Sequence, residues 1–347
     1  MELLNNTILL ITPFHRSQRG NSQTTARLQV FLSARGFNID RLSLEDNDWQ
    51  ERLQRDLAES KYALVHGFHA LHFGQVLQMI PQIRKLPMLL TTTGTDIHYD
   101  LLGEKQNIVM EAMKAVHKIV VFNEEFRRDL RVRHPEFSDK LVTIPQGVFL
   151  KTSPVKTRPE LGLSPDDIVF LLPSGLRPVK NIELAINALN KVQPNHPELR
   201  LLIIGAAIEE PYSRRIIDSI KGLDWITYLG EIPHAEMQSL LLLGNVVMNT
   251  SNSEGQPQGA LEAMSLGKPC ILTAVPGNLN IINHGIEGFY VDGEADLVTA
   301  AKTLINDPAR IVEMGKNAHT LVKTRFSLER EIDAYCTIYQ QITRGQA

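Results

Sequence analysis

At 347 residues the chain exceeds the size at which one hydrophobic core usually stops growing, so two domains of ordinary size are expected. Its 43% hydrophobic and 22% charged residues are those of a globular protein; a net charge of -3, with 18 Lys and Arg against 17 Asp and Glu in residues 1–150, argues against nucleic acid or an anionic membrane as a bulk electrostatic partner. No apolar run approaches the ~18 residues of a membrane span, and Met1-Glu2-Leu3-Leu4-Asn5-Asn6 has no basic region ahead of an apolar core, so a cytoplasmic protein is expected. The two cysteines, Cys270 and Cys336, suggest neither a disulfide framework nor structural zinc, and Cys270, in an apolar run, is expected in the core.

From Thr7 onward, short β-branched or apolar runs alternate with amphipathic stretches of helical length, the pattern of βαβ units and a parallel sheet covered on both faces. Strands are expected at Thr7–Thr12, Phe37–Leu42, Tyr62–Gly67, Pro87–Thr92, Lys118–Phe122 and Lys140–Ile144. Asp46-Asn47-Asp48 has the form of a DxD metal motif but lies just before a helical pattern, where Asp48 reads as an N-cap. The third strand runs into His66-Gly67-Phe68-His69-Ala70-Leu71-His72. His66 and His69 fall on opposite faces of an extended chain, and a three-residue spacing suits metal ligands on a helix, which is not indicated before His72. No metal site is expected.

The rhythm stops at Pro145-Gln146-Gly147, and residues 151–166 carry Pro154, Pro159 and Pro165 among polar neighbours, which reads as a linker between domains 1–150 and 151–326. It restarts with strands expected at Ile168–Pro173, Leu199–Gly205, Trp225–Leu229, Asn245–Asn249 and Pro269–Thr273. The fold class is therefore α/β, with two doubly wound, Rossmann-like domains facing each other and ligands at the carboxyl ends of the strands. A last helical pattern within residues 327–347, with Leu328, Ile332, Tyr335, Ile338 and Tyr339 on one stripe, is expected to pack back toward the first domain.

Two loops of the second half carry the chemistry. After its first strand, Ser174-Gly175-Leu176-Arg177-Pro178-Val179-Lys180-Asn181 sets two cations three residues apart ahead of a helix, where Arg can fork onto phosphate oxygens and Lys can act as a point charge. Later, Ser253-Glu254-Gly255-Gln256-Pro257-Gln258-Gly259-Ala260-Leu261-Glu262 runs from a loop into a helix and separates two carboxylates by seven residues. Pro257 suits a first helical turn, the free amides there suit an anion, and the small Gly259 and Ala260 let a pyrophosphate approach the backbone. Taken singly, each loop also reads as an ordinary solvated segment. A glycosidase acid and base pair is a formal alternative for Glu254 and Glu262, but the neighbouring cations argue for phosphate. No G-x-G-x-x-G follows either first strand, which disfavours a nicotinamide dehydrogenase.

These loops resemble the family 4 (group 1) glycosyltransferases of the GT-B fold, whose signature of Glu, seven residues and Glu is matched by Glu254 and Glu262. Further matches are Gly175-x-Arg177-x-x-Lys180-Asn181, Ile203-Ile204-Gly205, Tyr228-Leu229-Gly230, Val275-Pro276-Gly277-Asn278 and His284-Gly285-Ile286-Glu287-Gly288. The resemblance covers essentially the whole second half. It implies that Glu262 binds ribose and Glu254 the donor sugar, that the segment Gln256-Pro257-Gln258-Gly259 offers its backbone N–H groups to sugar and phosphate, that Arg177 and Lys180 carry the diphosphate, and that Leu229 and Gly230 border the base.

In the first half the resemblance is looser. Thr12-Pro13 and Arg19-Gly20-Asn21, ahead of a helix from Gln23, match the first strand and phosphate-facing loop, of which only Gly20 is carried over. The family places a catalytic or sugar-contacting His after the third strand, which implies His69, with His66 as the alternative. Thr93-Gly94-Thr95-Asp96 ends the fourth strand and, with the Gly20-Asn21 turn, is similar to the glycosyltransferase 1 domain-containing proteins and the bacterial selenosugar synthases; Asp96 either orients an acceptor or caps the next helix. The resemblance implies a retaining glycosyltransferase with a UDP-sugar donor, no cofactor, no metal in the chemistry and an unidentified acceptor, more readily small and soluble. A sugar-nucleotide epimerase or hydrolase, or a non-catalytic nucleotide-sugar-binding protein, would use the same donor pocket.

Overall fold

The computed structural model describes residues 7–15, 20–154 and 156–344. The chain divides into two compact units, one running to Gln146 and resuming at Leu328, the other spanning Gly147–Ser327. The first unit contains β1 (Thr7–Thr12), α1 (Gly20–Ala34), β2 (Ile39–Ser43), α2 (Trp49–Ala58), β3 (Tyr62–Phe68), α3 (Ala70–Met79), β4 (Met88–Thr91), α4 (Thr95–His98), α5 (Gln106–Ala115), β5 (Lys118–Val121), α6 (Glu124–Arg133) and β6 (Leu141–Thr143). Its sheet is parallel throughout, in the order β2-β1-β3-β4-β5-β6.

Because side chains alternate across a strand, β1 sends Leu9 and Ile11 into one core with α3, α5 and α6, and Ile8 and Leu10 into another with α1. Both faces are thus buried, which is why the strands read as unbroken apolar runs. Asp48 does precede α2, although its side chain makes no capping bond.

The second unit contains β7 (Ile168–Pro173), α7 (Ile182–Asn190), β8 (Leu199–Ile204), α8 (Glu210–Ser219), β9 (Ile226–Tyr228), α9 (Met237–Leu243), β10 (Val246–Asn249), α10 (Gln258–Ser265), β11 (Cys270–Thr273), β12 (Gly288–Val291), α11 (Glu294–Ile305) and α12 (Pro308–Arg325). Its parallel sheet has the order β12-β11-β10-β7-β8-β9. The edge strand β12 corrects the expectation of five strands: Gly288-Phe289-Tyr290-Val291 is short and follows a turn, but it pairs with β11 from Cys270 to Thr273. Cys270 is fully buried. The chain starts at β7, winds outward through β8 and β9, then returns to β10 on the other side, so the strand order reverses between β7 and β10. In the first sheet the reversal lies between β1 and β3. Open α/β sheets bind ligands at such points, outside the carboxyl ends of the strands.

The last helix, α13 (Leu328–Arg344), belongs to the first unit. Ile332, Tyr335, Ile338, Tyr339 and Ile342 recur at helical spacing and close the core that holds Ile8, Leu10, Leu64 and Val120. A buried ion pair, Arg27 Nη2 to Glu331 Oε1 at 3.0 Å, ties it to α1. Among the described residues no helix is long and apolar enough to cross a membrane.

Candidate functional site

The reversal between β7 and β10 explains why residues 74 positions apart meet. The strands are neighbours, with Val246 opposite Phe170 and Val247 opposite Leu171, so the loops leaving their carboxyl ends run side by side. Asn252 N donates to Val179 O at 2.8 Å and Thr250 Oγ1 to Lys180 O at 3.1 Å, which fixes one loop against the other. Lys180 closes a 3-10 turn, Pro178–Lys180, and points its ammonium onto Glu254 Oε1. The same oxygen accepts from Asn249 Nδ2 at 2.8 Å and Ser251 Oγ at 2.7 Å. Burial alone would raise the Glu254 pKa, but the Lys180 charge and the bonds from Asn249, Lys180 and Ser251 outweigh it and hold the carboxyl below its ordinary value.

A third loop supports this arrangement from β11. Asn278 is fully buried, and its Nδ2 donates to Thr273 O at 2.9 Å and to Asn249 Oδ1 at 3.1 Å, so it orients the amide that reaches Glu254. Gly277 has a steric reason: a Cβ there would lie 1.9 Å from Glu254 O. Enclosed polar atoms without partners also belong to these loops, namely Ser174 Oγ, Arg177 Nε, Ser253 Oγ and Asn278 Oδ1. Buried polar atoms are rarely left so, and an Arg guanidinium offering unpaired donors beside Lys180 suits an anionic ligand.

Glu254 stands on the loop and Glu262 inside α10. Pro257 occupies the position before the helix rather than its first turn, with ψ of 71°. Gly259 also departs from expectation: a Cβ would sit 3.0 Å from Pro173 Cγ and 3.1 Å from Pro173 O, so its smallness serves packing of α10 against the end of β7. Gln258 Nε2 donates to Gly147 O at 2.9 Å and Gln258 Oε1 accepts from Gln256 Nε2 at 3.2 Å, which employs these side chains in holding the loop. What they leave for a ligand is the backbone of Gly259 and Ala260, since Gln258 N already donates to Gln256 O at 2.9 Å.

Glu262 is 6% exposed, and its Oε1 accepts from His234 Nε2 at 2.8 Å. His234 was not singled out by its sequence context; it lies 28 residues away on the loop after β9. On that loop Leu229 N donates to Ile203 O, and Gly230, at φ of 71°, accepts from Gly205 N, so Leu229 and Gly230 sit at the carboxyl ends of β8 and β9.

In the first unit the histidines separate clearly. His66 is fully buried, with Nδ1 2.7 Å from Tyr339 Oη and Nε2 2.7 Å from Thr91 Oγ1, and burial holds its pKa down at about 3. It is a neutral core residue and leaves the list of site candidates. His69 precedes α3 with φ of 69°, a left-handed conformation costly for a side-chain-bearing residue. Its Nε2 lies 3.2 Å from Thr95 Oγ1 and 3.9 Å from Asp100 Oδ2, while its enclosed Nδ1 has no partner. The His72 ring packs 4.6 Å away and meets Phe14 edge-on, so residues after β1 and β3 gather at the reversal of the first sheet. Burial, then the neighbouring His69, keeps His72 at about 4.

Asp96 corrects the acceptor assignment. It is wholly buried, and its carboxylate accepts from Thr93 N at 3.0 Å, Gly94 N at 2.9 Å and Ala70 N at 2.8 Å. The group braces the end of β4 against the start of α3 and has no face to offer an acceptor. Asp96→Asn, which loses part of this acceptor capacity, is expected to lower stability by about 1–2 kcal/mol in denaturant titration, with kcat little changed. Gly20 is the exposed first residue of α1, which starts before Gln23, and Arg19 lies outside the described residues. Among the described residues no group of three or more His, Cys, Asp or Glu could hold a metal ion.

Residues 155–321 match the family model described as glycosyl transferases group 1, the stretch that holds Arg177, Lys180, Glu254 and Glu262. That stretch is a group 1 glycosyltransferase domain. This glycosyltransferase is 26% identical over 340 residues to glycosyltransferase 1 domain-containing protein 1 of Xenopus tropicalis, covering 93% of this chain and 94% of that one. It is 24% identical to N-acetyl-alpha-D-glucosaminyl L-malate synthase of Bacillus anthracis, over 85% of this chain and 77% of the relative. Among solved structures, sucrose-phosphate synthase from Thermosynechococcus elongatus superposes with a TM-score of 0.83 at 20% identity, covering 98% of this chain and all of that one. Anabaena Alr3699/HepE in complex with UDP and glucose superposes at 0.79 with 17% identity, covering 97% and all of that chain. These likenesses establish the GT-B fold of the glycosyltransferase, with two Rossmann-like units.

Proposed function

We propose that this glycosyltransferase is a retaining enzyme that moves a sugar from UDP to a small soluble acceptor. The observation that carries the proposal is the pair of anchored carboxylates beside two cations. All three donors to Glu254 gather on Oε1, so Oε2 is the oxygen a sugar hydroxyl can reach, and Glu262 stands one helix turn and a loop away for the ribose. Arg177 and Lys180 supply positive charge for the diphosphate as it departs, and the proposal assigns no metal to the chemistry. A Glu254 tied down by three donors is a poor nucleophile, which supports front-face displacement: the bond from C1 to the diphosphate oxygen breaks, the bond from C1 to the acceptor oxygen forms on the same face, and the acceptor proton passes to the departing diphosphate. On the first unit, His69 with its unpartnered Nδ1 is the side chain with an open hydrogen-bonding atom. The UDP and UDP-glucose complexes of Anabaena Alr3699/HepE support the choice of base, and the name of the malate synthase relative supports a small acceptor.

The test is incubation with UDP-, GDP- and ADP-sugars, with and without a metabolite extract, followed by mass spectrometry and NMR of the product. Acceptor-dependent release of UDP, an anomeric configuration matching the donor and rates unchanged by EDTA are expected. Conversion of the donor without acceptor would replace this proposal with an epimerase or hydrolase.

A further inference from the structure

We infer that His234 is a positioning residue that aims Glu262 at a ribose diol and so sets the preference for a ribonucleotide donor; this rests on the ribose reading of Glu262 given above. The two residues come from different elements. After β9 the chain passes through Leu229-Gly230-Glu231-Ile232-Pro233 into a single 3-10 turn, His234–Glu236, which leads into α9. Glu262 sits in α10 between the buried Leu261 and Ala263, and α9 and α10 line the same core. A carboxylate in such surroundings needs a hydrogen-bonding partner. Among the described residues His234 is the side chain bonded to it, through Nε2 to Oε1 at 2.8 Å.

A carboxylate oxygen only accepts, so Nε2 carries the proton whether the imidazole is neutral or cationic. The contact therefore persists in both forms. The terminal torsion of a free Glu is broad, and one fixed hydrogen bond to Oε1 is what gives Oε2 a direction. With Oε1 committed to His234, Oε2 is the oxygen that receives the hydroxyls of a 2′,3′-diol. His234 itself is about a quarter exposed at the side chain, and it is not required to fill the core. Its effect on the nucleotide runs through Glu262.

The experiment is calorimetric titration of UDP and 2′-deoxy-UDP into the full chain and into His234→Ala, His234→Gln and Glu262→Ala. His234→Ala is expected to weaken UDP about tenfold and 2′-deoxy-UDP much less, so that the ratio between the two nucleotides collapses. His234→Gln, whose side-chain amide keeps a donor near the Nε2 position, should restore most of the ratio. A thermal melt without ligand confirms that each variant is folded, and His234→Gln supplies the reading if His234→Ala does not fold. Equal weakening of both nucleotides by His234→Ala would overturn the positioning role. A ratio lost in Glu262→Ala but retained in His234→Ala would overturn it while leaving the ribose reading intact. A ratio retained in Glu262→Ala would overturn the ribose reading itself.

Discussion

Glu254→Ala is expected to cut turnover about a hundred- to a thousandfold while UDP affinity stays nearly unchanged, because in the proposed reading the missing carboxylate acts on the sugar and on Lys180 rather than on the nucleoside. In the intact protein Glu254 holds the Lys180 ammonium in one place, and Asn249, Ser251 and, one step behind, Asn278 hold Glu254. Removal frees the cation that the proposal places at the diphosphate. Steady-state kinetics paired with UDP calorimetry separates the two effects, and a variant with near-normal kcat would refute the assignment. The same network carries a pH signature. Burial would raise the Glu254 pKa, yet Lys180 and the two polar donors hold it below the ordinary 4.5. A group depressed on folding stabilises the folded state above its unfolded pKa, and that stabilisation fades as pH falls through the folded value. Glu254→Gln should therefore flatten the acid side of the stability curve as pH falls below the ordinary 4.5, as read by thermal melts.

Lys180→Ala is expected to lower kcat by a similar factor, about a hundredfold or more, and in addition to destabilise the protein. The two effects have separate origins. Lost turnover follows from a missing charge at the departing diphosphate. Lost stability follows from leaving Glu254, which is 9% exposed, as a buried carboxylate without its counter-charge. Breaking one side of a buried pair typically costs about 3–5 kcal/mol, and here Asn249 and Ser251 remain to absorb part of it. Joining Lys180→Met to Glu254→Gln removes both charges together, so the double variant should be less destabilised than the sum of the single ones while remaining inactive. Strict additivity of the two melts would mean that the pair is not coupled.

The fold was legible because most strands are buried on both faces: Thr7–Thr12 and Ile168–Pro173 read as unbroken apolar runs and form strands over those same residues. β12 escaped because its Gly288-Phe289-Tyr290-Val291 acts as a strand only through pairing with Cys270–Thr273. Glu254, Lys180 and Arg177 were legible as motifs, but the direction of their contacts was not. That Asn278 supports Asn249, which supports Glu254, depends on β10 lying between β7 and β11. Asp96 shows the opposite case. Its local sequence allows both a cap and an acceptor contact, and the structure gives neither: Asp96 lies inside α4, and Ala70 N, from 26 residues away, makes its carboxylate a brace. His234 carried no local signal, since its meaning is a contact with Glu262 across two helices. His66 and His69 differ by contacts invisible in spacing: the C-terminal helix supplies Tyr339 to His66, while His69 keeps an unpartnered Nδ1.

That helix also dictates an order of events during synthesis. The unit Gly147–Ser327 is continuous in sequence and is complete before α13 is made. The other unit starts first and finishes last, because Ile332, Tyr335, Ile338 and Tyr339 close the core over Ile8, Leu10, Leu64, Phe68 and Leu89. Until Leu328–Arg344 leaves the ribosome, the part of this face that α1 does not cover waits exposed and His66 is without the hydroxyl of Tyr339. Exposed sheet surface of this kind invites aggregation, so the nascent chain is vulnerable until α13 is made and docks.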